Sequence, residues 1–100
     1  MTVAWANGAI ADLARIRNYI AEHNPDAANS IARHLLNTAE LLASHPQMGV
    51  ATVVPGVHRV VVPRSVYSLI YRFSEGNIEI IEVFDGRRRR PRTIPQTRPE

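Results

Sequence analysis

The arginines are the residues of this chain with the clearest potential for chemistry. All twelve basic residues are Arg, no Lys is present, and nine Asp and Glu leave a formal net charge of +3. Residues 87–100 carry six Arg against Glu100, a charge of +5, whereas residues 1–86 carry six Arg against eight acids, a charge of −2. Guanidinium groups donate planar, bidentate hydrogen bonds to phosphate and carboxylate groups. The C-terminal run therefore predicts salt-sensitive binding to a polyanion or to an acidic protein surface.

Three further arginines lie in the region that we expect to form a β-sheet. Arg59 and Arg72 face the same side of that sheet, away from the helices, if the strand register allows it. The predicted polyanion-binding set is Arg59, Arg64, Arg72, Arg87, Arg88, Arg89 and Arg90. The alternative is that the sheet arginines are unrelated surface residues paired with Glu75, Glu79 or Glu82.

Several other chemistries are excluded by composition. Without Lys there is no P-loop lysine and no Schiff base, and without Cys there is no thiolate metal site and no cysteine nucleophile. We predict no metal and no cofactor, because the four His show no metal-ligand spacing and each is assigned a surface or capping role. They are His23, His34, His45 and His58.

The acidic residues do not form a convincing catalytic pair. Glu79 and Glu82 are three residues apart in one predicted strand, so we expect them to face opposite sides of the sheet. Asp85 follows that strand and is predicted to pair with a neighbouring Arg.

Hydrophobic periodicity predicts the elements that position these residues. A short strand over 2–6 precedes an amphipathic helix over 9–23, with Asn7-Gly8 as its cap and Asp12 in its first turn, outside the apolar stripe. Asn24 as N-cap and Pro25 at the first helical position begin a second helix that ends near residue 44. So short a turn between two helices predicts an antiparallel helical hairpin.

Three strands follow, over 57–62, 66–73 and 78–84, and their short connections predict an antiparallel meander. We expect the helices to cover the face that carries Tyr67, Leu69, Tyr71 and Phe73. The predicted fold is α+β with the order β-α-α-β-β-β, a helical hairpin packed on a small antiparallel sheet, followed by a basic tail. The predicted domain spans residues 1–91, and the Pro- and Arg-rich residues 92–100 are predicted to be flexible.

The location of the protein is predicted from what the sequence lacks. No apolar run approaches the roughly 20 residues of a membrane span, and the N-terminus does not show the pattern of a signal peptide. We therefore predict a cytoplasmic protein without a membrane partner.

Motifs along the chain resemble the RelE/ParE toxin superfamily. Trp5 precedes the helices, which carry Ala9, Asp12-Leu13, Ile16, Tyr19-Ile20 and Asn24-Pro25-x-Ala27-Ala28, and Pro46-x-x-Gly49 follows them. The strands carry Gly56-Val57-x-Arg59, Tyr67-x-x-x-Tyr71-Arg72 and Ile80-x-x-Val83-x-x-Gly86-Arg87-Arg88-x-x-Pro91. Each motif is weak alone, but their order over residues 3–91 is specific for the superfamily.

The resemblance implies a toxin of a type II toxin–antitoxin pair, with roles in growth inhibition and plasmid stabilization. Such toxins have a small α+β fold, and a cognate antitoxin wraps and neutralises them. We expect this antitoxin to lie in the groove between the helical hairpin and the sheet and to neutralise some of the Arg with its own acids.

Two branches of the superfamily imply different targets. RelE-like toxins enter the ribosome and cleave mRNA without a metal, whereas ParE-like toxins bind and poison DNA gyrase. If the chain is a metal-independent mRNA endonuclease, Arg59, Arg72 and Arg88 are the residues that would stabilise the developing charge.

Departures from the nuclease pattern favour the ParE-like branch. Ser68 stands where the nuclease branch often has Arg, and Asp85 stands where many relatives have His. No Tyr or His follows Tyr71, so a tail acid or base is missing. The first alternative is the RelE-like mRNA endonuclease, and the second is a non-toxic nucleic-acid or protein-binding domain with the same fold.

Overall fold

The computed structural model describes residues 1–87 and 90–95, and these form two helices on one five-stranded sheet. The elements are β1 (Thr2–Trp5), α1 (Asn7–Ala21), α2 (Pro25–Ser44), β2 (Val50–Ala51), β3 (Val57–Val61), β4 (Tyr67–Ser74) and β5 (Asn77–Asp85). The strand order is β1-β5-β4-β3-β2. The predicted α+β class and the order of its elements are confirmed. No described helix is long and apolar enough to cross a membrane.

The sheet is mixed rather than purely antiparallel. Strands β3, β4 and β5 form the predicted antiparallel meander, but β1 pairs in parallel with β5, so that Val3 lies beside Ile78. The stretch predicted as a loop after α2 contains β2, in which Val50 pairs with Arg59. A strand of two residues is too short to leave a hydrophobic period in the sequence.

The two helices begin differently. α2 begins as predicted, because the Asn24 side chain accepts a 3.1 Å hydrogen bond from the Ala27 N–H and Pro25 occupies the first turn. α1 begins at Asn7, two residues early, with Ala6 as an N-cap that makes no side-chain hydrogen bond. The prediction that Asp12 lies in the first turn outside the apolar stripe is therefore wrong, and its side chain is buried.

The main core lies between the helical hairpin and the sheet. Leu35 and Leu42 of α2 pack with Leu69 and Tyr71 of β4, which confirms the predicted buried face. The Tyr71 hydroxyl donates a 2.8 Å hydrogen bond to the Pro46 carbonyl and accepts one of 3.0 Å from the Gly49 N–H. These two bonds fix the loop between α2 and β2 over the end of the core.

A smaller core lies on the opposite side of the sheet, which we call the distal face. Val57, Ile70 and Phe84 form it, and Ile94 packs against them. Ile94 belongs to residues 90–95, which we call the C-terminal strap because they cross this face. Residues 92–100 are predicted to be flexible, and the structure describes this segment only as far as residue 95. Flexibility of the segment stays a prediction.

A β-bulge changes which acids share a face. The register of β4 and β5 shifts between Ile70 and Tyr71, so Ile70 pairs with Glu82 while Arg72 pairs with Glu79. Ile70 and Arg72 are two residues apart and cross-strand partners share a face, so both glutamates belong to the distal face. The prediction that Glu79 and Glu82 face opposite sides is wrong because the extra residue of a bulge resets the alternation.

Candidate functional site

The register places Arg59 and Arg72 together on the distal face. Arg59 pairs with Ile70, and Arg72 pairs with Val57, both members of the distal core. The condition that the sequence analysis set for a shared face is therefore met. Their surroundings differ, and this difference decides what each can bind.

Arg59 is half-buried on the distal face and contacts an aromatic ring rather than a carboxylate. Its guanidinium carbon lies 5.1 Å from the centre of the Phe84 ring, a cation–π contact that orients the group without neutralising it. Among residues 1–87 and 90–95, Arg59 forms no ion pair. The side chain also reaches Gly86, where an added Cβ would come within 3.1 Å of its Nη2 atom.

Arg72 already has an anionic partner. Its guanidinium lies 2.6 Å from the Glu79 carboxylate, and its Nε–H donates a hydrogen bond of 2.7 Å to the same oxygen. The Arg72 side chain is 61% exposed and the Glu79 side chain 37%, so water screens the pair. Arg72 therefore fits the alternative given above, in which a sheet arginine is a surface residue paired with Glu79.

Arg64 is separated from the distal face. It occupies the turn between β3 and β4, where its φ of 62° lies in the left-handed region. It lines a surface pocket with Arg33 and His34 of α2, on the helical side of the sheet. The described members of the predicted basic set therefore lie on more than one surface.

The C-terminal arginines follow β5. Arg87 is exposed and its backbone N–H and guanidinium both donate to the Asp85 carboxylate, at 2.9 to 3.3 Å. This pairing agrees with the prediction for Asp85, and it raises the pKa of Arg87 through hydrogen bonding and charge. Arg88 and Arg89 lie outside the described residues, so their predicted roles stay predictions.

A cleft joins the two ends of the basic set. It has a volume of about 400 Å³ and lies between β2 and the C-terminal strap. Arg59 and Arg90 both line it, while Ile70, Ile94 and Pro95 supply apolar wall. We call it the strap cleft. Two arginines separated by thirty residues in the sequence thereby line one concave surface.

Sequence analysis missed Arg92, which holds two buried carboxylates. Its Nη1 and Nη2 atoms lie 2.9 and 3.0 Å from the two oxygens of Asp12, and Nη1 lies 3.4 Å from Glu82. Asp12 and Glu82 are each 1% exposed. The hydrogen bonds to Asp12, followed by its charge and that of Glu82, raise the pKa of Arg92. The signal was present: a carboxylate within an apolar helix stripe and another within an apolar strand both require a cation.

His58 has neither a surface nor a capping role. Its ring packs between Tyr71 and Phe73, with ring centres 5.6 and 5.0 Å away. Cross-strand pairing with Tyr71 places it on the helical side of the sheet, away from the Arg59 side chain. Within the described part of the chain, no three His, Asp or Glu side chains are grouped closely enough to hold a metal ion.

Comparisons with known proteins agree with this architecture. The family model of the ParE toxin of the type II toxin–antitoxin system, parDE, matches residues 3–90. Toxin RelE2 of Caulobacter vibrioides is 35% identical over 81 residues, which cover 81% of this chain and 90% of that protein.

Two solved structures share the fold. The chromosomal ParDE toxin–antitoxin system of P. aeruginosa contains a chain with a TM-score of 0.74 and 23% identity, over 83% of this chain and 92% of that one. The isolated E. coli RelE toxin gives a TM-score of 0.63 and 12% identity, over 91% and 87% of the two chains. The extent of the family match, together with the 35% identical toxin, shows that this chain belongs to the ParE toxin family of type II toxin–antitoxin systems, within the RelE/ParE superfamily.

Proposed function

We propose that this toxin arrests growth by binding DNA gyrase, with the distal face as its target surface and Arg59 as the central contact. The observation that carries the proposal is the absence of a free proton-transfer group beside Arg59 among the described residues. Metal-free RNA cleavage needs groups that remove and donate protons, and Arg does neither at neutral pH. A protein inhibitor needs only charge and shape.

In the described part of the chain, the carboxylates on or beside the distal face already have partners. Glu79 pairs with Arg72, and Asp85 pairs with Arg87. Glu82 is buried beneath the C-terminal strap. The imidazole closest to this region in sequence, His58, lies on the other side of the sheet. These pairings support a binding function over a catalytic one.

The experiment compares gyrase inhibition with transcript cleavage. Purified toxin is added to a gyrase supercoiling assay, and in parallel the transcripts of cells that express it are mapped. We expect inhibited supercoiling and intact transcripts. Arg59→Gln should weaken inhibition about 10- to 100-fold, the loss expected for one charge-assisted hydrogen bond. Arg33 is an exposed residue of α2, and Arg33→Gln, which removes the same charge, serves as the matched control.

The second candidate is a ribosome-dependent mRNA endonuclease in which Arg59, Arg72 and Arg88 stabilise charge. The name of the 35% identical relative, Toxin RelE2, favours it. Codon-phased cuts in translated transcripts, with full gyrase activity, would establish this candidate and overturn the first. Expression without antitoxin and without any growth defect would instead indicate a non-toxic domain of the same fold.

We place the cognate antitoxin in the groove between α2 and β3. This groove has a volume of about 570 Å³ and is lined by Leu41, Met48, Val50 and Val61, all strongly exposed, with Arg59 at its edge. Apolar surface of this kind on a small protein marks a partner site. An apolar antitoxin segment with nearby acids would cover it and neutralise Arg59, as a toxin inhibitor must.

Charge substitutions in this groove test the antitoxin site. Val61→Glu should abolish co-purification with the co-encoded antitoxin, because the introduced carboxylate must be desolvated on docking and repels the antitoxin acids that we expect near Arg59. Ile10→Glu on α1, a residue of similar exposure, is the control and should retain the antitoxin. Equal retention by both variants would contradict this placement.

A further inference from the structure

The C-terminal strap is attached to the sheet through one buried carboxylate. Glu82 accepts hydrogen bonds from the backbone N–H groups of Arg92 and Thr93, at 3.0 and 2.9 Å, and from the Thr93 hydroxyl, at 2.6 Å. The Arg92 guanidinium adds a contact of 3.4 Å. Every hydrogen bond that Glu82 makes through its side chain within the described chain comes from the strap.

Arg92 also connects the strap to α1. Its two terminal nitrogens bind the two oxygens of Asp12, and Arg15 binds Asp12 from the solvent side at 3.1 Å. Release of the strap from the sheet would therefore remove Arg92, the principal cation that binds both Glu82 and Asp12. Undocking would replace these charge-assisted hydrogen bonds, which form in a poorly solvated site, with contacts to water, so the docked strap is the favoured state.

Docking of Arg92 restricts where Arg90 can lie. Only Pro91 separates the two residues, and the proline ring restricts the backbone torsion at that position. Arg90 lines the strap cleft together with Arg59. An Arg run at the end of a free chain would sample many positions, whereas the docked strap keeps Arg90 beside a sheet residue.

We propose that Arg92 is a positioning residue of this toxin: by binding Asp12 and Glu82 it holds the C-terminal strap on the distal face, so that Arg90 and Arg59 present one preorganised cationic cleft to the target. This inference rests on the proposed function, in which the distal face binds the target. Arg92 itself need not contact the target. Preorganisation of this kind improves affinity because the docked conformation does not have to be formed during binding.

Hydrogen exchange tests the positioning role without reference to toxicity. In Arg92→Gln the Thr93 amide should exchange roughly 10- to 100-fold faster, as expected when charge-assisted hydrogen bonds to the strap are lost. Amides of the α2 and β4 core should remain protected. Arg33→Gln is the charge-matched control and should leave Thr93 protected. If Thr93 stays protected in Arg92→Gln, the proposal is overturned.

A second variant covers the case in which Arg92→Gln does not fold. Glu82→Gln removes the buried charge itself, so no unpaired carboxylate remains at that position, yet it weakens the acceptor for Arg92 and Thr93. We expect it to fold and to show the same direction of change at the Thr93 amide. A folded Glu82→Gln chain with full strap protection would also overturn the proposal.

Growth arrest then tests the consequence for the target site. Strap release should raise the level of expression needed for arrest about 10-fold or more in Arg92→Gln, because only the docked fraction binds. Arg92→Lys, which keeps the charge without the bidentate geometry, should be intermediate in both exchange and toxicity. Arg90→Gln should lose toxicity while Thr93 remains protected.

The outcomes separate this inference from the function on which it rests. A released strap with full toxicity would overturn the positioning role, while loss of toxicity in Arg59→Gln would still support the distal face as the target surface. Full toxicity in Arg59→Gln would overturn that target surface, and the positioning role with it. Loss of toxicity that follows strap release in Arg92→Gln, Arg92→Lys and Glu82→Gln supports the inference.

Discussion

Substitution of the buried Asp12 is expected to lower the free energy of unfolding more than substitution of an exposed helix carboxylate. β1 ends at Trp5, opposite Ile80, so the next part of β5 has no strand beside it on that edge. Asp12 fills this position, because its Oδ2 accepts a 3.0 Å hydrogen bond from the Val83 N–H. A helix side chain thereby replaces a missing strand, and the same carboxylate holds Arg92.

The magnitude follows from these contacts. In Asp12→Ala the buried Val83 N–H loses its acceptor, which costs about 1–3 kcal/mol. The Arg92 guanidinium keeps its contact with Glu82, and the Arg92 side chain is 47% exposed to water. Loss of the Arg92–Asp12 ion pair therefore adds only about 1 kcal/mol to the cost in unfolding free energy. A total near 3 kcal/mol is a large part of the roughly 5–15 kcal/mol that stabilises a small domain. It corresponds to a decrease in Tm of about 12–24 °C.

Two further variants isolate the cause. Asp12→Asn keeps an oxygen for the Val83 N–H but loses the charge, so we expect a cost of about 1–2 kcal/mol. Asp26→Ala removes an exposed carboxylate from the first turn of α2 and should cost less than about 1 kcal/mol. The free energy of unfolding is measured by denaturant titration with the fluorescence of Trp5, the one Trp of the sequence.

The result that would refute the reasoning is specific. If Asp12→Ala costs no more than Asp26→Ala, the side chain does not substitute for a strand at the edge of β5. If Asp12→Asn and Asp12→Ala are equally destabilised, the charge on Asp12 outweighs its hydrogen bond to Val83. A double-mutant cycle with Arg92→Ala then gives the coupling energy between the two residues.

Further predictions concern the core and the loop that precedes β2. Tyr71→Phe leaves the Pro46 carbonyl and the Gly49 N–H without their partner and should cost about 1–3 kcal/mol in denaturant titration. Burial raises the pKa of Tyr71, so the folded state holds this proton more tightly than the unfolded chain does. Stability should therefore be complete below about pH 10 and decline above it, and the decline should be smaller in Tyr71→Phe. Gly49→Ala places a Cβ against the Arg59 carbonyl and 2.8 Å from the Tyr71 hydroxyl, so a lower Tm is expected. Leu35→Ala empties a fully buried position and should cost about 2–5 kcal/mol, again by denaturant titration.

The candidate site shows how far local sequence information extends. Alternation is a local property and gives the face of each Arg only relative to its own strand. The register of β3 and β4 in the tertiary structure then places Arg59 and Arg72 on one face. The alternation failed at Glu82, since a bulge inserts one residue and changes the face of everything beyond it. For Arg64 the sequence predicted membership of the basic set but no face, because a turn residue has no strand period to follow, and in the structure it lies with α2 residues.

The sequence by itself determined the elements whose physics is local. Asn24-Pro25 set the start of α2, and the alternation from Tyr67 to Phe73 identified the buried face of β4. The Arg-only basic composition also indicated that these basic side chains stabilise charge and do not transfer protons. Contacts between distant parts of the chain were decided only by the tertiary structure. Parallel pairing of β1 with β5, the strap cleft and the contacts of Arg92 with Asp12 and Glu82 join residues up to eighty positions apart. No local pattern contains such contacts, because burial of a carboxylate specifies that a cation is needed but not which Arg supplies it.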